Sequence, residues 1–141
     1  MYDDYIYLDH TADIKFKAYG NTLEDCFSNA AKAMFNILVP INEISIELNQ
    51  TVTIESDDLD LLLYKWLSEL LYLFEVENKL FSEFKLNISK DGDKYTVQGI
   101  LYGESVKDTH HINIEIKAVT FHDLYVKREN NVYTCQVVLD I

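Results

Sequence analysis

The chain predicts an α+β fold: a single domain over residues 1–141, with two main helices packed on a mostly antiparallel β-sheet. Three observations predict it. Apolar residues recur at helical spacing in two long stretches of the first half, and period-two alternation dominates the second half. No Pro-, Gly- or Ser-rich linker divides the chain, and strands and helices segregate along it instead of alternating. At 48% hydrophobic residues, 141 positions suffice for one core, which excludes a disordered or collagen-like chain.

The elements follow in chain order. An apolar-aromatic segment, Tyr5 to Leu8, precedes a strand in which Ile14, Phe16 and Ala18 alternate with Lys15, Lys17 and Tyr19. The spacing of Leu23, Cys26, Phe27, Ala30, Ala31, Met34, Phe35 and Leu38 predicts a helix over 22–38. Thr22-Leu23-Glu24-Asp25 supplies a capping pattern at its start, and Pro40 lies just beyond its end. Ile44, Ile46 and Leu48, then Val52 and Ile54, predict a further strand or an interrupted pair.

A second helix, starting near Ser56 or Asp57, carries the stripe Leu59, Leu62, Leu63, Trp66, Leu67, Leu70 and Phe74. Leu61, Leu71, Tyr72 and Leu73 extend its apolar surface well past half the circumference, so it is buried on two sides or faces a partner. Asp60, Lys65, Ser68, Glu69 and Glu75 interrupt the stretch and exclude a membrane span. Phe84, Leu86 and Ile88 lead into Lys90-Asp91-Gly92-Asp93, and Tyr95, Val97, Gly99 and Leu101 lead away, a hairpin signal because Asp-Gly tolerates positive φ. Ile112, Ile114, Ile116 and Ala118 predict another strand, and 124–127 is expected to pair with 133–139 across Asn130-Asn131.

Charge narrows the function. Lys and Arg number 12 against 24 Asp and Glu, a formal charge of -12, which disfavours direct nucleic-acid binding. Such a surface suits divalent cations or basic partners, and it also keeps a small protein soluble. The acidic start Met1-Tyr2-Asp3-Asp4 lacks the basic and apolar regions of a secretory signal, so a cytoplasmic location is expected. Cys26 and Cys135, far apart and without CxxC spacing, read as reduced, buried thiols.

No Gly-rich phosphate loop, GxSxG elbow or HExxH pair occurs, which lowers the expectation of a free-standing enzyme. The doublet His110-His111 would point to opposite faces if extended, and reads as a solvated loop end. His122 reads as structural, through a side-chain to backbone hydrogen bond. Asp9-His10-Thr11-Ala12-Asp13 between two strand segments can serve as turn and capping groups. At the other extreme, Asp140 stands beside Ile141, whose α-carboxylate would bring two anionic groups within one residue. Ordering both is costly unless a cation or a lysine neutralises them, and oxygen ligands select hard cations: Mg²⁺ or Ca²⁺, with Mn²⁺ admissible. A frayed, solvated end is the alternative.

Leu8-Asp9-His10-Thr11-Ala12-Asp13 resembles the signature of the archease family, and four further blocks agree in order. These are Ala31-Lys32-Ala33-Met34-Phe35-Asn36, Trp66-Leu67-Ser68-Glu69-Leu70-Leu71-Tyr72-Leu73-Phe74, Ile116-Lys117-Ala118-Val119-Thr120 and Val137-Val138-Leu139-Asp140-Ile141. The resemblance implies a protein cofactor of the RtcB-type RNA ligase, which joins tRNA exon halves and is guanylylated on an active-site histidine. Such a cofactor promotes guanylylation, allows multiple turnover and broadens nucleotide choice, and is not itself an enzyme. The resemblance further implies a divalent-metal site at Asp13, Asp140 and Ile141, a functional role for Lys117, and supporting roles for the neighbours His10 and Asp9. The competing expectations are a chaperone-like interaction module with no part in nucleotidyl transfer, and a metal-dependent hydrolase with His10 as base.

Overall fold

The computed structural model describes residues 3–8 and 13–141. Strands β1 (Tyr5–Leu8) and β2 (Asp13–Gly20) lead into helix α1 (Leu23–Leu38) and a short 3-10 turn (Ile41–Glu43). There follow β3 (Leu48–Ser56), α2 (Leu59–Glu77), β4 (Lys79–Asp91), β5 (Lys94–Ser105), β6 (Ala118–Glu129) and β7 (Val132–Asp140). They form two antiparallel sheets, a four-stranded one ordered β1-β2-β7-β6 and a three-stranded one ordered β3-β5-β4.

Both helices touch both sheets: α1 packs on β2 and β7 and also on β4, while α2 packs on β6 and also on β3, β4 and β5. This layering accounts for a second helix that is apolar almost all round, since α2 buries residues on two sides. The core centres on Trp66, Phe16, Phe27, Phe35 and Phe81, all fully buried. The indole Nε1 of Trp66 donates to the carbonyl of Phe27 at 3.0 Å, so the largest buried ring leaves no polar atom unpaired.

Local chemistry sets the element ends. The Thr22 hydroxyl accepts from the Asp25 N–H at 3.0 Å, and Asp58 caps α2 by accepting from the Asp60 N–H at 2.8 Å. Asn78 ends α2 in the left-handed region at φ 54°, and its N–H closes on Leu73 and Phe74 carbonyls. Asn130 and Asn131, at φ 53° and 64°, turn β6 into β7, as the asparagine pair predicts.

Two of the expected strands form only in part, the first as β3 from Leu48 onward. Segment 44–47 carries no ladder because the Ser45 N–H goes to the Glu104 carboxylate and the Glu47 N–H to the Gly103 carbonyl. Ile112, Ile114 and Ile116 are likewise outside any strand, and β6 begins only at Ala118. The Asn113 N–H reaches the Leu38 carbonyl at the end of α1, and the Lys117 N–H reaches the Asp140 carbonyl in β7. With its amides divided between two elements, the segment forms no strand. Among its isoleucines Ile116 is buried and Ile112 exposed, so the period of two carried no common face.

Candidate functional site

β2 and β7 run antiparallel in a register that sets Asp13, the first residue of β2, directly opposite Asp140, the last of β7. The same register pairs Ile14 with Leu139 and Phe16 with Val137 towards the core. Alternation therefore carries Asp13 and Asp140 together onto the other face. Directly opposed residues have Cβ atoms about 5 Å apart, and like charges so placed repel. Asp140 is also opposite Ala118, and the Lys117 N–H donates to the Asp140 carbonyl at 2.7 Å. Three chain segments, remote in sequence, thus converge on one sheet end.

The surroundings are polar on one side and apolar on the other. Asp140 and Lys117 are exposed, whereas Asp13 and Ile141 are half-buried, Ile141 resting against the core. Asp13 lines a cavity of about 370 Å³ with Tyr7, Leu8, Ile14, Asn36, Ile37 and Ile114. Asn36 donates to the Tyr7 hydroxyl at 3.2 Å, and that hydroxyl donates to the Ala33 carbonyl at 2.8 Å. Burial pushes the Tyr7 phenol up to about 12 against the lowering contact with Asn36, so it stays neutral there at physiological pH. Lys117 lines an open cleft of about 440 Å³ beside the end of α2, with Phe74, Glu75, Asn78, Glu115 and Ile116.

The structure therefore brings Asp13, Asp140, Ile141 and Lys117 to one place. Asp9 and His10 lie outside the described residues. Among the described residues no group of three His, Cys, Asp or Glu side chains stands ready for a metal ion. The donor set at this end is two carboxylates and the main-chain oxygens of Ile141. Oxygen donors of this kind suit a hard cation, Mg²⁺ or Ca²⁺, with Mn²⁺ admissible.

Other sequence expectations fare unevenly. Cys26 and Cys135 are free and fully buried, the Cys26 thiol donating to the Ala18 carbonyl at 3.6 Å. The adjacent Cys26 thiol and complete burial push the Cys135 thiol well up, which keeps it unreactive. His122 is exposed and meets the Asp123 carboxylate at 3.3 Å, in place of the expected backbone bond. His110 overturns the reading of a solvated loop end: its side chain is 6% exposed and bonded at both ring nitrogens, while its neighbour His111 is exposed. Its partner, Glu104, escaped sequence reasoning because a glutamate near a strand end gives no sign of burial.

Comparison with known proteins decides the family. Residues 5–141 match the Archease protein family (MTH1598/TM1083). The chain belongs to the archease family. A protein archease of Methanosarcina acetivorans is 45% identical over 139 residues, covering 97% of this chain and 95% of the relative. A protein archease of Pyrococcus furiosus is 38% identical over 135 residues, covering 94% and 95%. The solution structure of Methanobacterium thermoautotrophicum protein 1598 superposes with a TM-score of 0.89 at 38% identity, covering 98% of this chain and 99% of that one. A crystal structure from Thermotoga maritima, described as an archease and "possible chaperone", shares the fold at a TM-score of 0.61 and 19% identity, covering 95% and 94%. The family thus has the two-helix, antiparallel-sheet fold expected from the sequence, and among the described residues no helix is long and apolar enough to cross a membrane.

Proposed function

We propose that this archease-family protein is a cytoplasmic activator of an RtcB-type RNA ligase, promoting guanylylation and multiple turnover and widening nucleotide use, with no catalytic activity of its own. The observation that carries the reading is the register that opposes Asp13 and Asp140, with the Lys117 amide tied to the Asp140 carbonyl. That register gathers carboxylate oxygens from two strands at one sheet end, the kind of donor that hard cations take.

Asp13, Asp140 and the main-chain oxygens of Ile141 would hold the divalent cation: Mg²⁺ or Ca²⁺, with Mn²⁺ as the alternative. When bound, that ion supplies charge neutralisation for phosphate oxygens. The β2–β7 register orients the carboxylates, and Lys117, whose amide holds the Asp140 carbonyl, lines the cleft beside the end of α2. In a ligase active site this acidic end would help position the charge that attack on a nucleotide's α-phosphate requires. The net charge of -12 complements a basic RNA-binding ligase and argues against direct RNA binding by this chain.

Single- and multiple-turnover RNA ligation with the cognate ligase, GTP and a divalent ion tests the reading, with wild type and Asp140→Asn side by side. Wild type should stimulate turnover, and the folded Asp140→Asn variant should lose at least about tenfold of that stimulation. Absence of stimulation by wild type overturns the function. Full stimulation by Asp140→Asn overturns the acidic site as the means of activation. Turnover of GTP, ATP or 2′,3′-cyclic phosphate ends by the isolated protein would instead establish a hydrolase.

A further inference from the structure

Between β5 and β6, residues 106–117 form no strand, yet the segment is tied down along its length. The Val106 N–H donates to the Asn78 carbonyl at 2.7 Å, the Asn113 N–H to the Leu38 carbonyl at 3.2 Å, and the Lys117 N–H to the Asp140 carbonyl at 2.7 Å. At the sharpest bend, where the His110 N–H returns to the Lys107 carbonyl at 2.9 Å, the His110 ring closes the turn. Its Nδ1 accepts the Lys107 N–H at 2.8 Å, and its Nε2 lies 3.0 Å from Glu104 Oε2.

The carboxylate on the other side of that ring is fully engaged. Glu104 is 2% exposed; Oε2 also accepts the Ser45 N–H at 2.6 Å, and Oε1 pairs with Lys107 Nζ at 3.0 Å. Lys107 in turn pairs with Glu47. Because Nδ1 must accept, the hydrogen-bond pattern assigns the ring proton to Nε2, and one neutral imidazole satisfies a backbone donor and a buried acceptor at once. Downstream of this latch the segment places Ile114 in the wall of the Asp13 cavity, buries Ile116, and delivers Lys117 to Asp140.

We propose that His110, held by Glu104, is a positioning residue that latches segment 106–117 and thereby fixes Lys117 and Ile114 against the Asp13–Asp140 pair. Its effect on ligase stimulation rests on the function proposed above; its effect on the position of Lys117 does not. Hydrogen exchange of the Asn113 and Lys117 amides therefore tests the latch directly, in wild type, His110→Ala and His110→Gln. His110→Gln keeps a donor for Glu104 but offers the Lys107 N–H no acceptor at the Nδ1 position.

His110→Ala should accelerate exchange at Lys117 by at least about tenfold while α1 and the β2–β7 ladder keep wild-type protection; His110→Gln should fall between. In the ligation assay His110→Ala should lower the maximal stimulation and leave the half-saturating concentration unchanged, since the hydrogen bonds it removes lie within this chain. Wild-type exchange at Lys117 in both variants overturns the proposal, as does a lowered melting temperature with exchange at Lys117 unchanged. If His110→Ala fails to fold, His110→Gln carries the same comparison. Accelerated exchange with a wild type that stimulates no ligase supports the latch and overturns only the proposed function.

Discussion

Glu104 shows what one buried side chain does in this fold. Burial alone would raise its pKa, but the Ser45 N–H, Lys107 and His110 outweigh that effect and hold the carboxyl down at about 2. A depressed acid stabilises the folded state above the ordinary glutamate value of 4.5, and that contribution drains away as the pH falls towards about 2. Comparing denaturant midpoints of wild type and Glu104→Gln at successive pH values isolates it. The wild-type advantage should be full at pH 6 and shrink steadily below 4.5, and a constant difference across that range would contradict the assigned charge state. Nothing local in the sequence marks this residue: its partners come from Ser45, 59 positions upstream, and from a loop whose course no periodicity encodes.

At the scale of elements, each helix protects a sheet edge as well as filling the core. The Glu24 carboxylate of α1 accepts the Ile88 N–H of β4 at 3.1 Å, and Asp60 of α2 accepts the Val126 N–H of β6 at 2.8 Å. β4 and β6 are both edge strands, so these carboxylates occupy amides that another chain could otherwise pair with. Asp60 also lies in the first turn of α2, where a negative charge is favourable. Asp60→Ala should destabilise the protein by about 1–2 kcal/mol, with Asp60→Asn recovering most of the loss, as read by denaturant unfolding. Helix positions and both hairpins were legible because capping, period and Asp-Gly or Asn-Asn turns are local signals. The strand expected from Ile112 begins only at Ala118 for the converse reason: the amides of Asn113 and Lys117 are claimed by α1 and β7, partners that no local pattern records.

Across the whole molecule, two sheets clamp two helices between them, and the strand order carries the first residue of β2 to the last of β7. The α+β class follows from where helices and strands fall along the chain. The division into two sheets does not, because β2–β7 pairing joins residues more than a hundred positions apart. The candidate site was partly legible: family motifs pointed to Asp13, Lys117, Asp140 and Ile141, while their meeting depends on that long-range register. If the opposed carboxylates act as one unit, the effects of removing them will not add. The most direct measurement is the single-turnover guanylylation rate of the ligase with wild type, Asp13→Asn, Asp140→Asn and the double variant, each verified as folded. Each single change should cost at least about tenfold in rate, with the double no slower than the slower single. Wild-type rates in the single variants, or effects that multiply in the double, would contradict a shared Asp13–Asp140 site.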